Sequence, residues 1–264
     1  MSASQRMGAV AGVTAALLLY AATALAFDAD AQKILAPTGK LRAALYPGTP
    51  TSILDPKESE PRGVGYELGK ELARQLGVPY EPVVYPKNAD VQAAMTAGNA
   101  DVAFTNASPA RQKLMDFGPP FLAIELGYLV PAGSSITSVA DIDKKGHRIG
   151  VAVGSTSQST LSRDFKNAEV VPATTNKDGA ELVAAGKLDA FATNKATLFE
   201  LVERVPGLKM LPDRWGEERH AIAIPKGREQ GLPIIKAFTE EAIAQGLVKA
   251  AMDRAGLKGA KTAD

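Results

Sequence analysis

Apolar positions along the chain switch between two rhythms, and the switches predict its elements. Residues 40–46 form a short apolar run that ends in Pro47-Gly48-Thr49-Pro50-Thr51-Ser52, a segment dense in turn residues. From 65 to 76 the spacing becomes helical, with Leu68, Leu72 and Leu76 on one face, and it stops at Gly77. Residues 82–85 then read as a second strand, 89–97 as a second helix and 101–105 as a third strand. The order βαβαβ predicts a parallel sheet.

The pattern then restarts. A strand at 148–153 runs into the polar loop 154–160, a helix begins over 161–165, a strand follows at 170–171, and helix 179–184 leads to strand 190–193. One phrase marks the repeat: AGNADVAFTN at 97–106 returns as AGKLDAFATN at 185–194. Gly98 and Gly186 each read as the left-handed residue that ends a helix, and the apolar runs after Asp101 and Asp189 read as buried strands. The expected class is α/β, with two similar α/β lobes of mainly parallel sheet joined by a two-strand hinge. Each lobe delivers Thr-Asn at the carboxyl end of a strand, where open α/β sheets bind ligands. The alternative is a chance similarity of two ordinary α/β units. A further strand at 221–224 and a long helical pattern at 232–255 complete the chain, and crossings at 127–130 and 217–220 divide it into one lobe of 27–128 with 221–264 and another of 129–220. Two crossing strands make a hinge able to close over a ligand.

Composition adds compartment and excludes some chemistry. Arg6 precedes an uncharged run from 7 to 27 that ends in Ala24-Leu25-Ala26, the pattern of a cleavable secretory signal over residues 1–26. A membrane anchor is the alternative, but the run is rich in Ala and Gly and ends in a processing site. Removing it takes away Arg6 and no acid, so the formal charge of +1 falls to zero and nothing points to nucleic acid as a partner. Cysteine is absent, which excludes disulfides and a lipid-bearing cysteine and suits an exported, periplasmic protein. With two histidines, His147 and His220, a zinc site is not expected, and neither is another cofactor. No heptad or apolar stripe calls for a second copy, so a monomer is expected.

Two segments could carry recognition. In Ser108-Pro109-Ala110-Arg111, Ser as cap and Pro at the first helical position start a helix. Arg111 then stands in a first turn whose amides already favour anions, and its fork matches a carboxylate. The competing assignment is a surface Arg111 paired with Asp116. The loop Gly154-Ser155-Thr156 leads into a helix near Ser157, and its hydroxyls and amides could take the same carboxylate from the other side. An ordinary Ser/Thr cap is its bland alternative.

Together, RIGVAVGSTSQSTL at 148–161, SPAR at 108–111 leading to MDFGPPF at 115–121, and LDAF at 188–191 resemble the periplasmic solute-binding proteins of polar amino acid ABC importers, family 3. The resemblance covers most of 38–258. It implies a hinge-closing two-lobed fold of the periplasmic binding protein type II and capture of a small solute for an inner-membrane permease. It further implies that Arg111 grips the ligand carboxylate, that Ser155 and Thr156 assist, and that Thr105 and Asn106 line the cleft with Tyr46 as an aromatic platform. Two departures stand out. Asn194 occupies the place where the family commonly has an Asp for the ligand's α-ammonium, and an amide offers no full negative charge. The step from Thr-Asn to Arg111 is also two residues shorter than usual, which reshapes the pocket floor. The expected ligand is therefore a small carboxylate, either an amino acid or an organic acid without an α-amine.

Other features fade. Gly63 to Gly69 resembles a dinucleotide loop, but the last spacing is wrong and no strand closely precedes it, so it reads as a turn and helix start. Glu125 and Tyr128 lie near the hinge as ligand contacts or strand-edge residues, and Trp215 reads as packing. No enzyme is expected. The rival is a lyase of the cyclohexadienyl dehydratase type, which shares the fold but needs a tuned acid or base. With Asn106 and Asn194 neutral, Glu125 is its only nearby candidate. A subunit presenting ligand to a membrane sensor would have the same pocket.

Overall fold

A computed structural model describes residues 27–263, so the expected signal at 1–26 lies outside the described residues. Strands β1 (Leu41–Leu45), β2 (Tyr80–Val84) and β3 (Val102–Asn106) run parallel, and so do β5 (Arg148–Ala152), β6 (Glu169–Ala173) and β7 (Ala190–Asn194). Between these trios lie two long strands, β4 (Met115–Pro131) and β9 (Gly216–Pro225), which pair antiparallel with each other. The order across the sheet is β2-β1-β3-β9-β4-β7-β5-β6, with the short β8 (Leu208–Met210) and β10 (Ala260–Thr262) also on β4. Each lobe therefore has a parallel trio, and the antiparallel pairing is confined to the crossing strands and the short additions.

The crossing strands are much longer than the expected 127–130 and 217–220. Gly118-Pro119-Pro120 interrupts the apolar pattern of β4, and prolines normally exclude a central strand because they lack the ladder N–H. Here the ladder shifts register between Phe117 and Pro120 and again between Pro120 and Leu122, which accommodates both prolines at an irregularity.

Helices cover the sheet. They are α1 (Ala29–Leu35), α2 (Val64–Leu76), α3 (Asn88–Thr96), α4 (Pro109–Gln112), α5 (Thr156–Asp164), α6 (Asn176–Ala184), α7 (Lys195–Arg204), α8 (Leu232–Ala244) and α9 (Leu247–Arg254). The expected single helix at 232–255 is thus two, divided at Gly246, where φ is 73°. In the first lobe Leu68, Leu72 and Leu76 of α2 pack with Phe104, Phe121, Ile235 and Phe238, and the two phenylalanine rings meet edge to face at 6.2 Å. Burying each such side chain contributes about 1.5–3 kcal/mol. The second lobe has its own cores, around Phe191 and Leu198 on one face and Tyr128, Ile149 and Val151 on the other.

The repeated phrase has a structural cause. Gly98 and Gly186 adopt φ of 69° and 68°, a turn that L side chains resist. The Asp that follows accepts the backbone N–H and the guanidinium of an Arg on the neighbouring strand: Asp101 from Arg42, Asp189 from Arg148. Each Arg also donates to the carbonyl of the turn glycine, Gly98 or Gly186. Strand, turn and strand are clamped by the same Arg–Asp–Gly pattern in both lobes, and Arg228 adds a second guanidinium on Asp101.

Candidate functional site

The carboxyl ends of β1 and β3 face those of β5 and β7, and a cavity of about 50 Å³ lies between them. Its walls come from both lobes. Tyr46, Thr105 and Arg111 line one side, Ser155, Thr156 and Asn194 the other, and Glu218 and His220 of β9 stand on the hinge itself.

Arg111 is placed by the local sequence as expected: Ser108 caps α4 with its Oγ accepting from the Arg111 N–H, and Pro109 opens the helix. The Arg111 guanidinium donates to the Thr105 hydroxyl and, across the cleft, to the Gly154 carbonyl at 3.1 Å. Only 6% of Arg111 is exposed. Among the described residues no carboxylate lies within ion-pair distance of it, and Asp116, its competing partner, pairs instead with Lys226. Burial pulls the guanidinium below the usual arginine range, while the charge of Glu218 works the other way. A buried cation held only by neutral acceptors is costly until an anion arrives.

The lobes touch at the facing loop. Gly154 has φ of 74°, and a Cβ there would lie 2.7 Å from the Ala89 backbone nitrogen. Its carbonyl accepts from Gln92 at 2.9 Å as well as from Arg111. Ser155 caps α5 by accepting from the Gln158 N–H at 3.0 Å, so the helix starts at Thr156, one residue before the expected Ser157. Tyr46 lines the cavity, but its hydroxyl also accepts from the Asn176 N–H at 3.3 Å on α6, and burial pushes the phenol up.

Several expected site residues lie elsewhere or act through others. Asn106 does not line the cavity. It faces a separate groove, donating to the Thr156 Oγ1 at 3.0 Å and accepting from the Arg219 N–H at 2.9 Å. Asn194 lines the cavity while its Oδ1 caps α7, and its Nδ2 donates to Glu218 Oε2 at 3.2 Å. Glu125 is absent from the cavity lining and is half-exposed, paired with Lys195 at 2.8 Å. Tyr128 is buried beneath Trp215, ring centroids 5.9 Å apart, and the Trp215 indole N–H donates to the Gly127 carbonyl.

The sequence reasoning missed the titratable pair. Glu218 and His220 are each 6% exposed, with Glu218 Oε2 3.0 Å from His220 Nε2. Burial alone would raise the Glu218 carboxyl, but the hydrogen bond and charge of His220, the charge of Arg111 and the Thr156 hydroxyl hold it below the usual glutamate value. A signal existed. In Glu217-Glu218-Arg219-His220 alternate residues face inward on a strand that is otherwise apolar, and an inward Glu and His at that spacing mark a polar chamber.

The cavity thus offers a cation, an anion and a set of hydroxyls, an arrangement fit to hold a small polar molecule. Among the described residues no cluster of His, Asp or Glu is disposed to hold a metal ion, and no helix is long and apolar enough to cross a membrane.

Comparison with known proteins agrees with this architecture. The chain is 28% identical over 185 residues to the amino-acid-binding protein AabA of Dichelobacter nodosus, covering 67% of this chain and 72% of that one. It is 23% identical to the L-cystine-binding protein TcyJ of Escherichia coli K12, covering 73% of each. Its fold is like that of an amino acid ABC transporter substrate-binding protein from Streptococcus pneumoniae solved with L-arginine, with a TM-score of 0.75, 18% identity, and coverage of 87% of this chain and 99% of that one. Residues 41–256 match the model for bacterial extracellular solute-binding proteins, family 3, and the chain belongs to that family.

Proposed function

We propose that the protein is the periplasmic capture subunit of an ABC importer, a monomer that closes on a small carboxylate-bearing solute and presents it to an inner-membrane permease. The lobe of 27–128 with 221–264 and the lobe of 129–220 close about β4 and β9. The carboxylate sits on Arg111, assisted by Thr105 and by the hydroxyls and helix-start amides of Ser155 and Thr156, while Tyr46 and Asn194 complete the walls.

One observation carries this reading: Arg111 is buried between the lobes with neutral acceptors and, among the described residues, no carboxylate partner. A ligand carboxylate would supply the missing charge and, through the Gly154 loop, reward closure. Glu125 is turned away to Lys195, but Glu218 and His220 bring a buried acid and a buried imidazole to the cavity, so turnover of a cyclohexadienyl acid such as prephenate is the outcome that would favour the lyase reading. The test is a thermal-shift screen against amino acids and amine-free carboxylates. A ligand at a hundred times its dissociation constant stabilises by about 2.7 kcal/mol, so a carboxylate-dependent rise in melting temperature is expected. No response to any carboxylate would refute the function.

A further inference from the structure

The Gly154 peptide is held from both sides of the cleft. Its N–H donates to Gln158 Oε1 at 2.8 Å within its own lobe, and its carbonyl accepts from the other lobe, from Gln92 Nε2 at 2.9 Å and from the Arg111 guanidinium at 3.1 Å. Resting on the reading of a protein that closes over its solute, we propose that Gln92 is a latch: a positioning residue that never touches the solute and, by gripping the Gly154 carbonyl once the lobes meet, sets how long the solute stays.

Local geometry aims Gln92 at this task. Its side chain folds back toward the start of α3, where Nε2 also donates to the Asn88 carbonyl at 3.3 Å. Ala89 stands three residues earlier on the same helix face, and the Ala89 backbone is what a Cβ on Gly154 would strike. Glycine at 154 therefore lets the first turn of α3 come close, and Gln92 uses the approach. A carbonyl oxygen has two lone pairs, so Gln92 and Arg111 share it without competing.

The two donors have different duties. Arg111 and Tyr46 also bond across the cleft, but both line the cavity, so the chemistry of the solute decides what they contribute. Gln92 is absent from the cavity lining and stands in a neighbouring groove with Gln158, Ser159 and Ser162. What it adds to closure is the same whatever the cavity holds. A contact made after docking slows departure and leaves arrival alone, because the solute enters an open cleft before the lobes meet. The cavity then chooses the solute, and the latch multiplies its residence time by a fixed factor.

The experiment measures association and dissociation rates by surface plasmon resonance on the immobilised protein, with L-serine, L-glutamine, L-arginine, glycerate and glutarate as probes. Gln92→Met keeps the length of the side chain and removes the donor. Dissociation of every probe that binds should speed up by at least ~3-fold and by a common factor, with association within about twofold of the parent and the melting temperature of the unliganded protein unchanged. Dissociation faster by less than ~3-fold, a loss carried by slower association, or a factor that differs from probe to probe overturns the latch and leaves the capture reading intact. Gln158→Met, which loosens the same peptide inside one lobe, should instead slow association; the same dissociation-only change from both variants would assign the effect to loop rigidity and overturn the latch as well. Silence from every probe overturns the capture reading and the latch with it.

Discussion

Asn194 Nδ2 donates to Glu218 Oε2 at 3.2 Å, while Asn194 Oδ1 caps α7 by accepting from the Thr197 N–H at 3.0 Å. Both ends of the amide are used, one as donor and one as acceptor. Asn194→Asp would keep the cap but set a second carboxylate against Glu218. Two carboxylates that close cannot both ionise cheaply, so the pair should take up a proton at a raised value. Stability should therefore fall by roughly 1–3 kcal/mol near neutral pH and recover as pH drops through that value. Urea denaturation at several pH values would measure this, and an unchanged midpoint at neutral pH would mean that the two side chains do not face each other.

Gly154 should be intolerant of a side chain for two separate reasons. Its left-handed φ costs an L-residue about 1–2 kcal/mol, and a Cβ would meet the Ala89 backbone at 2.7 Å. The second penalty exists only when the lobes are together. Gly154→Ala is expected to weaken ligand binding at least ~10-fold and to reduce the ligand-induced compaction seen by small-angle scattering, with a smaller effect on the melting temperature of the unliganded protein.

Arg111 should separate binding from stability. A buried charge without an ionic partner is often replaced by an apolar side chain of similar size at no loss of stability. Arg111→Met is expected to leave unfolding of the unliganded protein within about 1 kcal/mol of the parent or to raise it, while ligand affinity falls at least ~100-fold. A variant that is destabilised by several kcal/mol yet still binds within about threefold of the parent would assign Arg111 to the scaffold.

Asp101 should dominate the acid sensitivity of the first lobe. Burial alone would raise its carboxyl, but bonds from Arg42 and Arg228 hold it below the usual value of 3.8. A depressed folded value means that its stabilisation is present in full above the unfolded pKa and is lost as pH falls through the lower folded one. Asp101→Asn should cost about 3 kcal/mol near neutral pH, and the gap from the parent should narrow below pH ~4. Asp189, more exposed and paired with Arg148 alone, should cost less when changed in the same way.

Much of this architecture is legible in the chain because its rules are local. Gly98 and Gly186 end helices by backbone conformation, Ser108 caps α4 through a bond three residues long, and the period of apolar residues places β1, β3, β5 and β7. Legibility fails where partners are distant. The prolines of β4 are tolerable only because the register with β9 shifts around them, which no local pattern can announce. The family resemblance marks position 194 as the place of an Asp that this chain replaces with Asn194, and no local pattern announces that a buried carboxylate stands beside that amide from Glu218 on another strand. Asn106 sits next to Thr105 in sequence yet faces the opposite side of its strand, a consequence of strand alternation that the expectation of a cleft-lining Thr-Asn overlooked.

Trp215 is the sole tryptophan of the chain, and its indole is fixed to the Gly127 carbonyl of one crossing strand, one residue before the other begins. The protein consequently carries its own optical gauge at the pivot. If the lobes rotate about β4 and β9 as proposed, that single tryptophan sits where the two crossing strands meet, and a ligand-dependent change in its fluorescence would report the motion without an attached dye.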